Sequence, residues 1–253
     1  MKKILEETLL AIEEKKKCLM KKRPLDPLIE KNIYEWSKVG LTYASNAIEG
    51  NTLTEGETAQ ILEKGIAIGG KTIVEHLEAL GHAKAVDLIS EIALKKTRQE
   101  ITVSDVLEIH KVLLEQILPL YAGRFRQSSV RISGSSVARP NALKVPDLMD
   151  QLLASLKTSQ NSEVLIAADL HLDFVFIHPF VDGNGRTARL LSNLVLLQAG
   201  FPLVKIDVKN RIQYINAIEK AFLSSDREDY YLVWFQAIET TLDEYLRPDF
   251  LGV

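Results

Sequence analysis

The 253-residue sequence contains a single cysteine, Cys18. An intramolecular disulfide is therefore impossible, and a cysteine-based zinc site is excluded. Long apolar runs are missing too. The stretch 190–197 is interrupted by Ser192 and Asn193 and is too short to cross a bilayer. Neither sign of charge is in excess: 31 basic residues against 34 acidic ones leave a net charge of −3. No bulk attraction to nucleic acid or to an anionic membrane is expected. There is no internal repeat and no low-complexity linker. The opening MKKILEETLLAIEEKKK starts basic, but four glutamates fall within its first fourteen residues and no small-residue cleavage site follows. It does not read as a secretory signal, and the expected location is cytoplasmic. What is present is ordinary for a globular protein, with 46% hydrophobic and 26% charged residues. A chain of this size can bury a sizeable core without staples.

Helical periodicity and punctuation dominate. Residues 4–22 read as a charged helix ended by Pro24 and Pro27. Its run of six basic residues up to Arg23 reads as a solvated face. In residues 28–49, Ile29, Ile33, Trp36, Leu41, Ala44 and Ile48 are spaced for one apolar face. Thr54 with Glu57, and Thr72 with Glu75, form capping boxes for helices reaching Lys64 and about Lys96. Thr102 and Asp105 start another that runs to Ile117 before Pro119. Further helices are expected at 146–157, 163–177, 185–198, 211–223 and 227–246. Between Gly123 and Pro140 the character changes. Val130 and Ile132 alternate with polar residues around a turn at Gly134, which predicts a small β-hairpin. The expected fold is mainly α, a helical bundle with one hairpin. An N-terminal helical region at 1–69 would precede a core and C-terminal helices at 70–253.

Residues 65–72, GIAIGGKT, satisfy the phosphate-loop pattern letter by letter. Such a loop needs a buried strand leading into it, and TEGETAQILEK ahead of it carries a helix cap and good helix formers. The stretch reads as a glycine-rich connection between helices.

The chemistry concentrates in residues 178–189, HPFVDGNGRTAR. Asp182-Gly183-Asn184-Gly185 is strongly turn-forming, and its glycines let the backbone approach a ligand closely. The helix that follows presents free N–H groups and the positive end of its dipole, a ready anion site. Arg186 and Arg189, three apart, are expected to share a face and reach the same anion. His178 supplies a base that titrates near neutrality, and Asp182 a hard oxygen ligand suited to Mg²⁺. Base, metal ligand, anion nest and two arginines within one short stretch describe a phosphate-transfer site.

This stretch resembles the signature of Fic domains, H-P-F-x-D-G-N-G-R-x-x-R, at every fixed position. The resemblance covers roughly residues 70–220. It implies a protein adenylyltransferase that moves AMP from ATP to a hydroxyl of a target protein. His178 would be the general base, Phe180 a buried anchor, and Asp182 the Mg²⁺ ligand. Gly183, Asn184 and Gly185 would line the nest, Arg186 would grip the γ-phosphate, and Arg189 would add a second positive contact. Tyr214, in a helix opened by Asn210 and Arg211, would contact adenine. The hairpin would be the target-docking flap, with Val130, Arg131, Ile132 and Ser133 pairing to a target segment.

Upstream, SNAIEG at 45–50 resembles the family's inhibitory motif, [ST]-x-x-x-E-[GN]. It implies an inhibitory helix at about 37–50. Ser45 and Glu49 lie one helical turn apart on one face. The expected contact is Glu49 with Arg186, which would fill the place of the γ-phosphate. In some relatives the same glutamate helps remove AMP, and the sequence leaves both directions open. It also leaves open other transferred groups such as phosphocholine. Two other classes compete. One is a metal-dependent phosphohydrolase built on His171, Asp173, His178 and Asp182. The other is a nucleotide-binding regulatory module without transferase activity. The expected partners are ATP, Mg²⁺ and a protein target. Homodimers, common among relatives, remain an open alternative. No nucleic acid and no membrane are expected.

Overall fold

The computed structural model describes residues 2–132 and 135–247. Ten α-helices are found among them: α1 (Lys2–Lys21), α2 (Pro27–Ile48), α3 (Glu55–Lys64), α4 (Ile73–Lys95), α5 (Val103–Leu114), α6 (Val145–Thr158), α7 (Glu163–Ile177), α8 (Asn184–Gln198), α9 (Arg211–Ser224) and α10 (Glu228–Leu246). Their starts follow local chemistry. The threonines at 54, 72 and 102 each accept from the backbone N–H three residues on, and Glu57, Glu75 and Asp105 return the bond. Such caps stabilise a helix by about 1 kcal/mol each. α5 stops at Leu114, short of the expected Ile117, because Ile117 N–H and Leu118 N–H both turn back to the Leu114 carbonyl.

α7 and α8 form the centre. Nearly every position of α8 from Arg186 to Leu196 is buried, since α7, α4, α5 and α2 surround it. Ala167 and Ala168 keep α7 slim, and Ser192 of α8 donates to the Ala167 carbonyl across the contact at 2.8 Å. Gly81 does the same for α4. A Cβ there would stand 2.5 Å from the Leu113 carbonyl oxygen of α5. Outside this centre, α1 lies along α10. It buries Ile12 and Leu19 and sets Lys15 between Glu239 and Asp243, so part of its charge is paired rather than solvated. Ile12, Leu19, Leu41 and Ile48 belong to the same apolar cluster as Leu190 and Trp234. Among the described residues no helix is long and apolar enough to cross a membrane.

The glycine-rich stretch 65–72 joins α3 to α4. Gly65 ends α3 in the left-handed conformation, and Thr72 caps α4. Lys71 is spent on the Thr52 carbonyl and on Glu57, so no phosphate loop forms.

The expected hairpin is not seen: no strand occurs among the described residues. Val130 and Ile132 are half-buried and Arg131 exposed, as the alternation predicts. The ends of the segment are tied by Arg126. Its guanidinium donates to the carbonyls of Ser128 and Pro140 at the two ends and to His178 between them. Ser133 lies outside the described residues.

Candidate active site

The loop 178–183 begins where α7 ends. His178 caps α7 with φ 51° and ψ 60°, a left-handed conformation that a non-glycine residue adopts at a cost. Phe180, fully buried, drives the loop inward. It stacks on His110 at 3.5 Å between centroids and 4° between planes, and leans on Phe125 and Phe174. Asn184 then staples the turn: its amide oxygen accepts from Phe180 N–H at 2.9 Å, and its amide nitrogen donates to the Phe180 carbonyl at 3.0 Å. The Asn184 side chain is thus a brace under the loop, not a wall of the nest. His110 completes the support. Gly123 N–H donates to its Nδ1, so its Nε2 carries the proton and donates to the Asp182 carbonyl at 3.0 Å. Burial pushes His110 down to about 4, which keeps this neutral form at neutral pH. Arg126 holds the outer side: its Nε donates to the His178 carbonyl at 2.7 Å and its backbone N–H donates to the Pro179 carbonyl at 2.9 Å.

α8 opens at Gly183, φ 72°, with no capping side chain. The first N–H groups of the helix are left for a ligand. A Cβ on Gly183 would press on Leu114 at 2.8 Å. A Cβ on Gly185 would run into a carboxylate oxygen of Glu49. That carboxylate, closing α2, lies in the cradle that Gly185 leaves open and bonds to Arg189 Nη2 at 2.7 Å. The cradle therefore already holds an oxyanion, and it belongs to the protein.

The two arginines do not share this anion. Arg189, 3% exposed, donates from Nε to Ser45 Oγ at 3.0 Å and from Nη2 to the Ser45 carbonyl at 2.9 Å, besides Glu49. Arg186 turns to α4 and donates to Glu78 Oε1 at 2.9 Å and to Asn46 Oδ1 at 3.5 Å. The expected Glu49–Arg186 contact is thus corrected to Glu49–Arg189. Three residues rotate about 300° and rise about 4.5 Å along a helix, enough here to aim the two guanidinia at different neighbours. Burial raises the Glu49 carboxyl, but Arg189, Arg186 and Arg211 outweigh it, and Glu49 is held below the usual carboxylate range. Arg211 also ties down the end of α2, donating to the Ile48 carbonyl at 2.6 Å.

His178 is pushed down to about 4, chiefly by burial and then by the nearby Arg139 charge, with Val175 and Glu49 pulling the other way. The imidazole is neutral at pH 7 and able to take a proton. Asp182 is exposed. One of its oxygens accepts from Gly183 N–H at 2.6 Å, and the other lies 3.6 Å from Arg186. A solvent-facing carboxylate beside an anion cradle fits a Mg²⁺ shared with phosphates.

Tyr214 cannot meet a base. It is 2% exposed, and its hydroxyl contacts His171 at 2.6 Å and Arg189 at 3.5 Å. Its position in α9 puts the side chain on the inner face, where the sequence could not separate it from the exposed Ile215 beside it. The hydrolase ligand set does not assemble either. His171 is buried between two tyrosines, and Asp173 pairs with Arg227. No group of three or more metal-ligating side chains occurs among the described residues. Glu78, His110 and Arg126 are absent from the sequence-based candidates, and His171 is among them only as a metal ligand, not as the hydrogen-bond partner of Tyr214 and Tyr230 that it is. For Glu78, His110 and His171 only the capping and burial patterns of their helices could have flagged them, patterns shared by many packing residues, and Arg126 lies outside any helix.

Residues 100–196 match the Fic/DOC family. The protein adenylyltransferase Fic of Nematostella vectensis is 38% identical over 205 residues, which are 81% of this chain and 48% of that protein. Protein adenylyltransferase fic-1 of Caenorhabditis elegans is 38% identical over 187 residues, 73% of this chain and 37% of that one. The chain thus spans less than half the length of these two curated relatives. A solved structure of C. elegans Fic-1 superposes with a TM-score of 0.88 at 29% identity, covering 97% of this chain and 72% of the other. The chain belongs to the Fic/DOC family and carries its Fic domain.

Proposed function

We propose that this chain transfers AMP from ATP to a Ser, Thr or Tyr hydroxyl of a target protein, and that Glu49 brakes the reaction. The observation that carries this reading is the Glu49 carboxylate seated over Gly185 and on Arg189, where a phosphate would bind. The cradle selects an oxyanion by helix N–H groups and guanidinium, and one of the family's substrates ends in three such groups.

With Glu49 withdrawn, the triphosphate of ATP would lie along the start of α8. Arg189 would take a terminal phosphate in place of Glu49, and the backbone of Gly183 and Gly185 would approach the chain of phosphates. His178, neutral, would accept the proton of the target hydroxyl as that oxygen attacks the α-phosphorus. The bond to the bridging oxygen then breaks, and pyrophosphate leaves. Asp182 would hold Mg²⁺, which when bound neutralises phosphate charge. Val130, Arg131, Ile132 and Ser133 would dock a target segment along the arm clamped by Arg126. With Glu49 in place, ATP would be displaced from its productive pose, and a misplacement of about 1 Å can cost about 100-fold in rate.

The test is labelling with ATP carrying a traceable α-phosphate. Glu49→Gly should label itself or proteins of a lysate far more strongly than the parent chain. Equal, background-level labelling by both would remove the transferase reading and the brake together.

A further inference from the structure

Ser45 and Glu49, which supply Arg189 with three of its bonds, sit on the last turns of one helix, α2. Whatever withdraws Glu49 by moving that helix end takes Ser45 with it. The remaining described partner comes from the body of the protein: Tyr214 of α9, whose hydroxyl lies 3.5 Å from Arg189 Nη1.

That hydroxyl is not free to turn. The Ala168 carbonyl can only accept, so Tyr230 O–H donates to it at 2.9 Å. Tyr230 then has only acceptor capacity left for His171 Nδ1, 2.9 Å away, so Nδ1 carries the imidazole proton. His171 Nε2 is therefore the acceptor, and the Tyr214 proton points at it across 2.6 Å. What Tyr214 presents to Arg189 is a lone pair. Only one arrangement of protons satisfies this chain of bonds. All four side chains are buried, with Tyr230 and His171 fully enclosed. Burial also pushes His171 well below its ordinary value, so the imidazole stays neutral and the order holds. A satisfied buried network of this kind fixes geometry more firmly than a lone contact.

We infer that Tyr214, oriented by His171 and Tyr230, is the positioning residue that keeps Arg189 aimed into the cradle after α2 lets go. The inference rests on the proposed role of Arg189 as a phosphate contact. Without such an anchor, a guanidinium on a long side chain would lose its direction when the brake leaves, and the phosphate would bind at the expense of reordering it. Tyr214 touches Arg189 and not the reacting atoms, so its effect belongs to binding of the terminal phosphates.

The experiment uses the full chain carrying Glu49→Gly, with and without Tyr214→Phe, and calorimetric titration with ATP and separately with AMP. Tyr214→Phe should weaken ATP about tenfold, which corresponds to about 1.4 kcal/mol, and leave AMP within about twofold. A merely structural role would weaken both alike, and that result would overturn the inference, as would unchanged ATP affinity. If Tyr214→Phe does not fold, Tyr230→Phe serves instead. It keeps the Tyr214 hydroxyl but frees His171 to turn, and should give a smaller loss of the same ATP-selective kind; none, or an equal loss for AMP, contradicts the inference. Labelling is followed in parallel. A Glu49→Gly chain that binds ATP yet labels nothing would end the transferase reading, while the ATP-to-AMP comparison would still decide the part played by Tyr214.

Discussion

Two regions meet at the cradle and are held there by different forces. The loop 178–183 is anchored by a fully buried Phe180, by neutral hydrogen bonds from Asn184 and His110, and on its outer side by Arg126 on the His178 carbonyl. Past the buried Ile48, the end of α2 is held by charged groups: Glu49 on Arg189, Arg211 on the Ile48 carbonyl, and Asn51 on Glu78. The Glu49 side chain keeps 38% of its surface exposed. The loop's contacts have no substitute in a ligand, so nothing in a nucleotide would compete for them. The Glu49–Arg189 bond does have a substitute, because a phosphate oxygen can take the same donor. A contact built this way, and with it the proposed brake, could be exchanged for a phosphate at small net cost, whereas one built on apolar burial could not.

Three changes break or sharpen that contrast. The largest effect on rate is expected from His178→Ala in the Glu49→Gly chain, which should reduce labelling by about 100-fold or more. Because the His178 pKa is depressed to about 4, the Glu49→Gly chain should also hold its rate as pH falls from 7 to 5.5, where an ordinary histidine would begin to protonate. The pH–rate profile checks this: an acid limb centred near 6.5 would contradict the buried setting of the imidazole. Next, Phe180→Ala should lower stability by about 3–5 kcal/mol, measured by denaturant unfolding, since it empties a site packed by three rings. A loss below about 1 kcal/mol would mean that the loop is no firmer than the brake. The smallest of the three is the charge change at Glu49 itself, taken up below.

Much of this was legible in advance. Helical spacing and the threonine caps located all ten helices to within a few residues, because capping chemistry is local and acts on the next turn. The residues 178–189 were legible for the same reason: base, turn and arginines are neighbours in the chain. What could not be read were partners brought together from far apart. Whether Glu49 meets Arg186 or Arg189 depends on how α8 is rotated against α2 and α4, and Glu78 decides it by claiming Arg186. The inward turn of Tyr214 depends on α9 packing over His171, at a distance of 43 residues. The hairpin failed for a related reason. Alternation specifies which side of an arm is half-buried but not that it pairs, and the bonds that hold the arm's ends come from Arg126, on the Ser128 and Pro140 carbonyls.

The most direct measurement compares ATP affinity of the unaltered chain and of Glu49→Gln by calorimetry. Glutamine keeps the shape and a hydrogen bond to Arg189 but removes the negative charge, so it should compete less well with a phosphate and tighten ATP binding about tenfold. Unchanged or weaker ATP binding would show that the carboxylate on Arg189 does not stand in the place of a phosphate.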